Sequence, residues 1–110
     1  MEEKIYGILN DLGVPFGILG RQYLMRAVTL IYRNGRMAMT KELYPRLAKE
    51  FGTTMPRVER AIRHAVECVF NNVNIEAIEK YFGFSVPSSK GKLTNADFIY
   101  GIVEYLKLHR

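Results

Sequence analysis

The sequence has little cysteine and no long hydrophobic run, and both absences restrict the class of protein. A single cysteine, Cys68, excludes an intramolecular disulfide framework and fits a reducing compartment. No apolar run approaches the roughly 18 residues of a membrane-spanning helix. The N-terminus carries Glu2 and Glu3 rather than a cationic segment followed by an apolar one, so no secretion signal is expected. These features predict a cytoplasmic protein with no membrane partner.

Motifs for catalysis and metal binding are also missing. The chain contains no phosphate-binding glycine loop and no nucleophile motif, and its carboxylates are scattered, so we do not expect an enzyme. His64 and Cys68 lie four residues apart and could face one metal ion, but His109 is the one other soft ligand in the sequence. A structural zinc site is therefore not expected, and no cofactor is predicted.

Positive charge is concentrated in the middle of the chain. The net charge is +5 over 110 residues. Residues 20–64 hold ten Lys or Arg against three acids, whereas the remainder holds six basic and eight acidic residues. A local excess of this kind is typical of a surface that binds a polyanion.

The strongest pattern is a basic amphipathic helix predicted over residues 54–70. Arg57, Arg60, Arg63 and His64 point broadly away from its apolar stripe, so their side chains are predicted to be exposed. Arginine forks suit phosphate oxygens and the paired acceptors of guanine, and this pattern is typical of a helix that enters a DNA groove. The stripe itself, at about 100° per residue, consists of Met55, Val58, Ile62, Ala65, Val66 and Val69.

A shorter helix is predicted just before it, over about residues 41–51. Gly52 follows as the expected left-handed turn residue, and either Thr53 or Thr54 can cap the basic helix. Two helices joined by a short glycine turn predict a helix-turn-helix. The apolar stripe of the shorter helix is Leu43, Tyr44, Leu47, Ala48 and Phe51.

The start of the shorter helix depends on Pro45. Thr40 can cap it, and a helix that begins near Glu42 tolerates the proline in its first turn. A helix that begins earlier is expected to bend at this point.

Four further helices complete the predicted fold. They cover about residues 2–12, residues 21–32, residues 75–82 with Asn74 as cap, and a final helix that starts at Thr94. Large side chains of the 14–20 connector, including Phe16, are expected to pack onto the core, as are Ile75, Ile78 and Phe82. Residues 84–93 are predicted to form the longest loop. No period-2 strand appears, so the expected fold class is all-α, with about six helices in one domain over residues 1–110.

The side chains of the basic helix lead to a hypothesis for DNA contacts. Arg57 and Arg60 are predicted to bind guanine acceptors, and Lys41, Lys90 and Lys92 to hold phosphates. For Glu59 two interpretations stay open. It either accepts a hydrogen bond from a cytosine amino group, or serves as a helix-end charge or as the partner of Arg63 at i,i+4.

A second class of function uses the same surface differently. A helical protein-interaction module could present its basic face to an acidic partner, and it would have no preference for one DNA sequence. RNA binding is disfavoured because the aromatic residues fall at core spacing rather than as stacking platforms.

The chain also resembles a known family. Arg57-Val58-Glu59-Arg60-Ala61-Ile62-Arg63-His64-Ala65 is similar to the recognition helix of the C-terminal effector domain of the stage-zero sporulation protein A family. The similarity covers essentially the whole chain. It includes Leu43-Tyr44-Pro45 and Ala48-Lys49 before that motif, and Thr94-Asn95 and Phe98-Ile99 after it.

The resemblance implies a six-helix, DNA-binding response-regulator domain of a two-component system. It implies that the helix-turn-helix enters the major groove of a promoter box, that two domains bind tandem boxes, and that transcription is activated or repressed. Arg57, Glu59 and Arg60 match the family's base-contacting residues, and Arg63 and His64 match nearby contacts to DNA. Thr53 and Thr54, in the turn of the helix-turn-helix, are expected to lie near the DNA backbone.

Further partners also follow from the resemblance. Residues 74–86, from Asn74 to Val86, match the surface that contacts the major sigma factor of RNA polymerase. We expect a monomer in solution and a dimer on DNA. A chain of 110 residues is too short to include the family's receiver domain as well, so the chain is expected to be an excised effector domain or a stand-alone paralogue.

Overall fold

The computed structural model describes residues 1–71, 74–83 and 93–110, and over these ranges the chain forms six α-helices and no β-strand. The predicted all-α fold is therefore confirmed. None of the helices in these ranges has the length and hydropathy needed to cross a lipid bilayer. The helices are α1 (Glu2–Asp11), α2 (Leu19–Asn34), α3 (Tyr44–Phe51), α4 (Met55–Asn71), α5 (Ile75–Phe82) and α6 (Asn95–Leu108), with a π-helical turn (Met39–Leu43) before α3.

Helix α2 lies at the centre of the fold and contacts α1, α3, α4 and α6. Its inner face carries Leu24, Ala27 and Val28, all of them fully buried. Helix α3 also packs against α4, and α5 packs against α6. One continuous hydrophobic core joins all six helices, so the basic helix α4 is supported from behind by several others.

The starts of two helices were predicted correctly from their capping residues. Asn74 Oδ1 accepts the N–H of Ala77 at 3.2 Å, and Thr94 Oγ1 accepts the N–H of Asp97 at 3.1 Å. Each bond satisfies one of the amide groups that a helix N-terminus leaves without an intrahelical acceptor. The predicted inner face of α6 is confirmed and consists of Phe98, Ile99, Ile102, Val103 and Leu106.

Helix α2 is longer than predicted and begins with an unexpected buried cation. It starts at Leu19 rather than at residue 21, and it ends at Asn34, where Gly35 takes a positive φ of 88°. Arg21 in its first turn is 5% exposed. Its guanidinium donates to the Val14 carbonyl oxygen at 2.7 Å and to Asn10 Oδ1 at 2.7 Å.

Aromatic rings seal the Arg21 guanidinium from solvent. The centre of the guanidinium lies 4.9 Å from the ring centroid of Tyr6 and 4.5 Å from that of Phe16. The same group also reaches the Tyr6 carbonyl oxygen at 3.4 Å. Arg21 therefore joins α1 and the connector to α2, and it does not contribute to the exposed basic surface to which its charge was assigned.

The predicted helix over residues 41–51 is wrong at its start. Residues 39–43 form the π-helical turn, in which the Tyr44 N–H donates to the Met39 carbonyl five residues back. Pro45 explains the change, because it has no N–H to donate and its ring clashes with a carbonyl in a regular helix. Thr40 is not the cap. Instead the Ala38 N–H donates to Glu42 Oε1 at 2.9 Å.

Three side chains predicted to be buried are exposed. Phe16 is 67% exposed, Ile75 62% and Phe51 39%. Phe16 covers Arg21 instead of entering the core. Ile75 is the first residue of a helix of eight residues, whose buried side chains are Ala77, Ile78, Tyr81 and Phe82. Most of the predicted loop over residues 84–93 lies outside the described residues.

Candidate nucleic-acid interface

The turn between α3 and α4 is made by Gly52. Its φ of 64° and ψ of 40° lie in the left-handed region, which glycine adopts without the steric cost of a side chain. The N–H groups of Gly52 and Thr53 both donate to the Ala48 carbonyl oxygen and so satisfy the end of α3. This confirms Gly52 as the turn residue of the predicted helix-turn-helix.

Thr54, rather than Thr53, caps α4. Its Oγ1 accepts the N–H of Arg57 at 3.4 Å, and its carbonyl oxygen accepts the N–H of Val58 at 3.0 Å. The Thr53 N–H is already used by α3. Pro56 follows within the first turn of α4, where a missing N–H costs nothing because that group has no helical acceptor.

The inner face of α4 is the stripe that the sequence predicts. Its buried residues are Val58, Ile62, Ala65, Val66 and Val69, and Met55 at the start of the helix is half-buried. Gly20 of α2 lies directly against this face. A Cβ at Gly20 would sit 2.1 Å from the Ala61 carbonyl oxygen, so the two helix backbones are in contact there.

The outer face of α4 carries exposed Arg57, Arg60, Arg63 and His64, as predicted. At about 100° per residue, Arg60 lies opposite the centre of the buried stripe, and Arg57 and Arg63 lie about 60° to either side. With a rise of 1.5 Å per residue, the ridge from Arg57 to Arg63 is about 9 Å long. An α-helix with its side chains is about 10–12 Å across, which matches the width of the major groove, about 12 Å.

Two arginines of this ridge differ from the other arginines near it. Within the described residues, the Arg57 and Arg60 side chains make no ion pair or hydrogen bond. Arg63 Nη1, by contrast, lies 3.3 Å from Glu59 Oε2. The forks of Arg57 and Arg60 are therefore available to an external acceptor without the loss of an internal contact.

Glu59 lies on the shoulder of the ridge. Its side chain is 34% exposed and pairs with Arg63 at i,i+4, which is the structural alternative that the sequence left open. An exposed pair of this kind contributes about 0.5 kcal/mol or less, so a DNA base can displace it cheaply. The pair in the free protein therefore leaves both interpretations of Glu59 possible.

A second ion-pair network neutralises part of the excess positive charge of residues 20–64. Glu50 Oε1 lies 2.8 Å from Arg26 Nε, and Glu50 Oε2 lies 2.8 Å from Arg46 Nε. The hydrogen bond from Arg26 lowers the pKa of Glu50, and the bond from Arg46 adds to this effect. Lys41 in the π-helical turn is exposed and is a better candidate for an external phosphate than either arginine.

Sequence reasoning missed one contact at the back of the ridge. Asn95 Nδ2 donates to the Tyr44 hydroxyl at 3.1 Å and to the Glu59 carbonyl oxygen at 3.2 Å. The pKa of the Tyr44 hydroxyl is raised, mainly because this group is buried. The partners of Asn95 lie 51 and 36 residues away in sequence, so no local pattern could have indicated either bond.

Other candidate positions do not form a separate site. His64 Nε2 and Cys68 Sγ lie 3.9 Å apart on α4. Among residues 1–71, 74–83 and 93–110, no three His, Cys, Asp or Glu side chains are grouped so that they could hold a metal ion. Lys90, Lys92 and Val86 lie outside the described residues.

Comparison with known families identifies the family of this chain. Residues 5–106 match the family described as "Sporulation initiation factor Spo0A C terminal". The chain belongs to the Spo0A C-terminal family. The match spans nearly all of the 110 residues and confirms the resemblance seen in the sequence.

Membership in the Spo0A C-terminal family also establishes the general role of the domain. Spo0A C-terminal domains are DNA-binding effector domains of a sporulation response regulator, so this chain is a DNA-binding domain of transcription regulation. The family role is regulatory rather than catalytic. Double-stranded DNA is accordingly a partner of this domain.

Proposed function

We propose that the chain is a single domain that recognises a short promoter box by inserting α4 into the major groove. Arg57 and Arg60 donate to guanine acceptors, and Glu59 accepts from a cytosine amino group. The observation that carries this proposal is the pair of free guanidinium forks on an exposed ridge, held by a buried inner face.

Contacts to the DNA backbone surround this ridge in the proposal. Phosphate contacts fix the register of a protein on DNA, while base contacts supply the specificity. Thr54 presents its hydroxyl at the exposed start of α4, and Arg63 and His64 extend the ridge toward its other end. The full set of proposed backbone or nearby contacts is Lys41, Thr53, Thr54, Arg63 and His64, together with Lys90 and Lys92.

The proposal extends to assembly and regulation. Two copies bind tandem boxes, and a copy free in solution is a monomer. Helix α5 and the residues after it, over 74–86, contact the sigma factor of RNA polymerase, so that the bound domain activates or represses transcription. Support for this surface comes from the exposed Ile75 side chain at the start of α5, which is free to contact a partner.

Selection of preferred duplexes from a random pool tests the proposal. We expect the pool to converge on one short box. A protein-interaction module with a basic face would enrich no sequence, and that result would refute specific recognition.

Arg57→Ala then tests the proposed base contact. We expect a loss of about 1–3 kcal/mol on the selected box and a much smaller loss on random DNA, because the guanine contact exists only at the box. Fluorescence anisotropy with both duplexes over a series of salt concentrations gives the two affinities. Equal losses on both duplexes would make Arg57 a phosphate contact.

Two control variants calibrate this measurement. Arg33→Ala removes the same charge from an exposed side chain at the end of α2 and should leave the ratio of box to random affinity unchanged. Lys41→Ala should weaken binding to both duplexes and reduce the salt slope by about 1.

A further inference from the structure

Three elements of the domain meet at one side-chain amide. Asn95 is the first residue of α6, and its Nδ2 contacts α3 through the Tyr44 hydroxyl and α4 through the Glu59 carbonyl oxygen. Thr94 caps α6 directly before it and fixes the position of this helix end. The amide therefore connects both helices of the helix-turn-helix to the C-terminal helix.

The chemistry of the partners determines the orientation of the Asn95 amide. A carbonyl oxygen only accepts hydrogen bonds, so the NH₂ end of the amide must face Glu59. The same nitrogen has a second N–H, which the Tyr44 hydroxyl accepts. Tyr44 is 7% exposed, so water is not a ready substitute for this partner.

The bond reaches α4 between the two proposed base-reading arginines. A helical carbonyl accepts the N–H four residues later, which leaves a lone pair for a second donor. The Asn95 amide uses this lone pair on Glu59, between Arg57 and Arg60. A rotation or slide of α4 that moves these arginines must stretch or break the bond.

We propose that Asn95 is a positioning residue for sequence recognition and holds α4 in the orientation that presents Arg57, Glu59 and Arg60 together to the bases. This inference rests on the proposed function of α4. Base contacts need close placement of donors and acceptors, whereas long flexible side chains reach phosphates over a range of positions. A loosened α4 therefore loses specific binding more than random binding.

Asn95→Leu tests the proposal. The variant keeps the side-chain size, removes both donors and adds no charge. We expect the ratio of box to random affinity to fall about tenfold, which corresponds to the loss of two ordinary hydrogen bonds. Tyr44→Phe removes one of the two bonds and should lower the ratio about threefold.

The matched control is Asn34→Leu. Asn34 is an exposed last residue of α2 with no side-chain hydrogen bond within the described residues, and its replacement should leave the ratio unchanged. Binding is measured at a temperature where circular dichroism shows every variant fully folded. A purely structural role would reduce the folded fraction and both affinities equally, and an unchanged ratio would overturn the proposal.

A second variant covers the case in which Asn95→Leu does not fold. Asn95→Asp also lacks both N–H donors, and a carboxylate is favourable in the first turn of a helix. Its carboxylate can accept from the Tyr44 hydroxyl but cannot donate to the Glu59 carbonyl oxygen, so one of the two bonds is lost. The added charge weakens binding to both duplexes and cancels in the ratio, which should fall about threefold.

The wild-type protein distinguishes a failure of the proposed function from a failure of the role of Asn95. If it does not prefer the selected box over random DNA, both the proposed function and the role of Asn95 are refuted. If it does prefer the box while both Asn95 variants keep the wild-type ratio, the role of Asn95 alone is refuted.

Discussion

Replacement of Gly20 by alanine should push α2 away from the recognition helix. An ideal Cβ at this position lies 2.1 Å from the Ala61 carbonyl oxygen and 2.9 Å from Ala65 Cβ. A carbon needs about 3.3 Å from such an oxygen, so one helix must shift by about 1 Å. The carbonyl oxygen and carbonyl carbon of Ala61, at 2.1 and 2.9 Å from the new methyl group, belong to backbone, which has no rotamer that could relieve the overlap.

The expected change in stability is the balance of an overpacking cost and a gain in helix propensity. Overpacking in a well-packed core costs about 1–3 kcal/mol, and a rigid backbone neighbour places Gly20→Ala at the upper end of that range. The higher helix propensity of alanine returns less than about 1 kcal/mol at this position, because the residue lies in the first turn. We therefore expect a net loss of about 2 kcal/mol in the free energy of unfolding.

Urea denaturation followed by circular dichroism measures this loss. Gly7→Ala is the matched control, since Gly7 lies within α1 and a Cβ there would meet nothing within 4 Å. That variant should gain about 0.5–1 kcal/mol from helix propensity alone. If Gly20→Ala is as stable as Gly7→Ala, the close contact of α2 with α4 does not exist in solution.

The remaining predictions concern two acidic residues. Because hydrogen bonds lower the pKa of Glu50, its contribution to stability is present above the unfolded pKa of about 4.3 and lost as the pH falls through the lower folded value. Glu50→Gln should therefore cost about 0.5–1 kcal/mol at pH 7 and less as the pH is lowered below about 4. Glu104→Gln, at an exposed site, should show no such pH dependence in urea titrations. Glu59→Gln should change the preferred base at one position of the selected box by about 1–3 kcal/mol; an equal gain on all duplexes would assign Glu59 only to its pair with Arg63.

Several features that depend on local sequence were predicted correctly. The inner face of α4 follows from helical periodicity alone, and Gly52 and Asn74 act within three or four residues of their own positions. The same holds for the outer positions of Arg57 and Arg60, because a buried stripe defines the opposite face of its helix.

Features that depend on distant partners were not predictable in this way. Arg21 reads as a surface cation until the carbonyl of Val14 and the ring of Phe16 are placed around it. Asn95 reads as an ordinary residue of a helix first turn, and its partners become apparent only when α3, α4 and α6 are assembled. The π-helical turn before Pro45 lies between these cases, since the proline predicts an irregularity without specifying its form.

The buried guanidinium of Arg21 makes the first helix essential to a fold whose apolar core is mostly built elsewhere. Carbonyl oxygens of Tyr6 and Val14 take the place of a hydration shell around a permanent positive charge. A truncated protein that lacked residues up to Asn10 would lose the contacts of Tyr6 and Asn10 with this group. It would also lose the buried side chains of Ile5, Ile8 and Leu9, each of which contributes about 1.5–3 kcal/mol. Shortened versions for binding or structural work should therefore retain α1 in full, although it lies far in sequence from the helix that faces DNA.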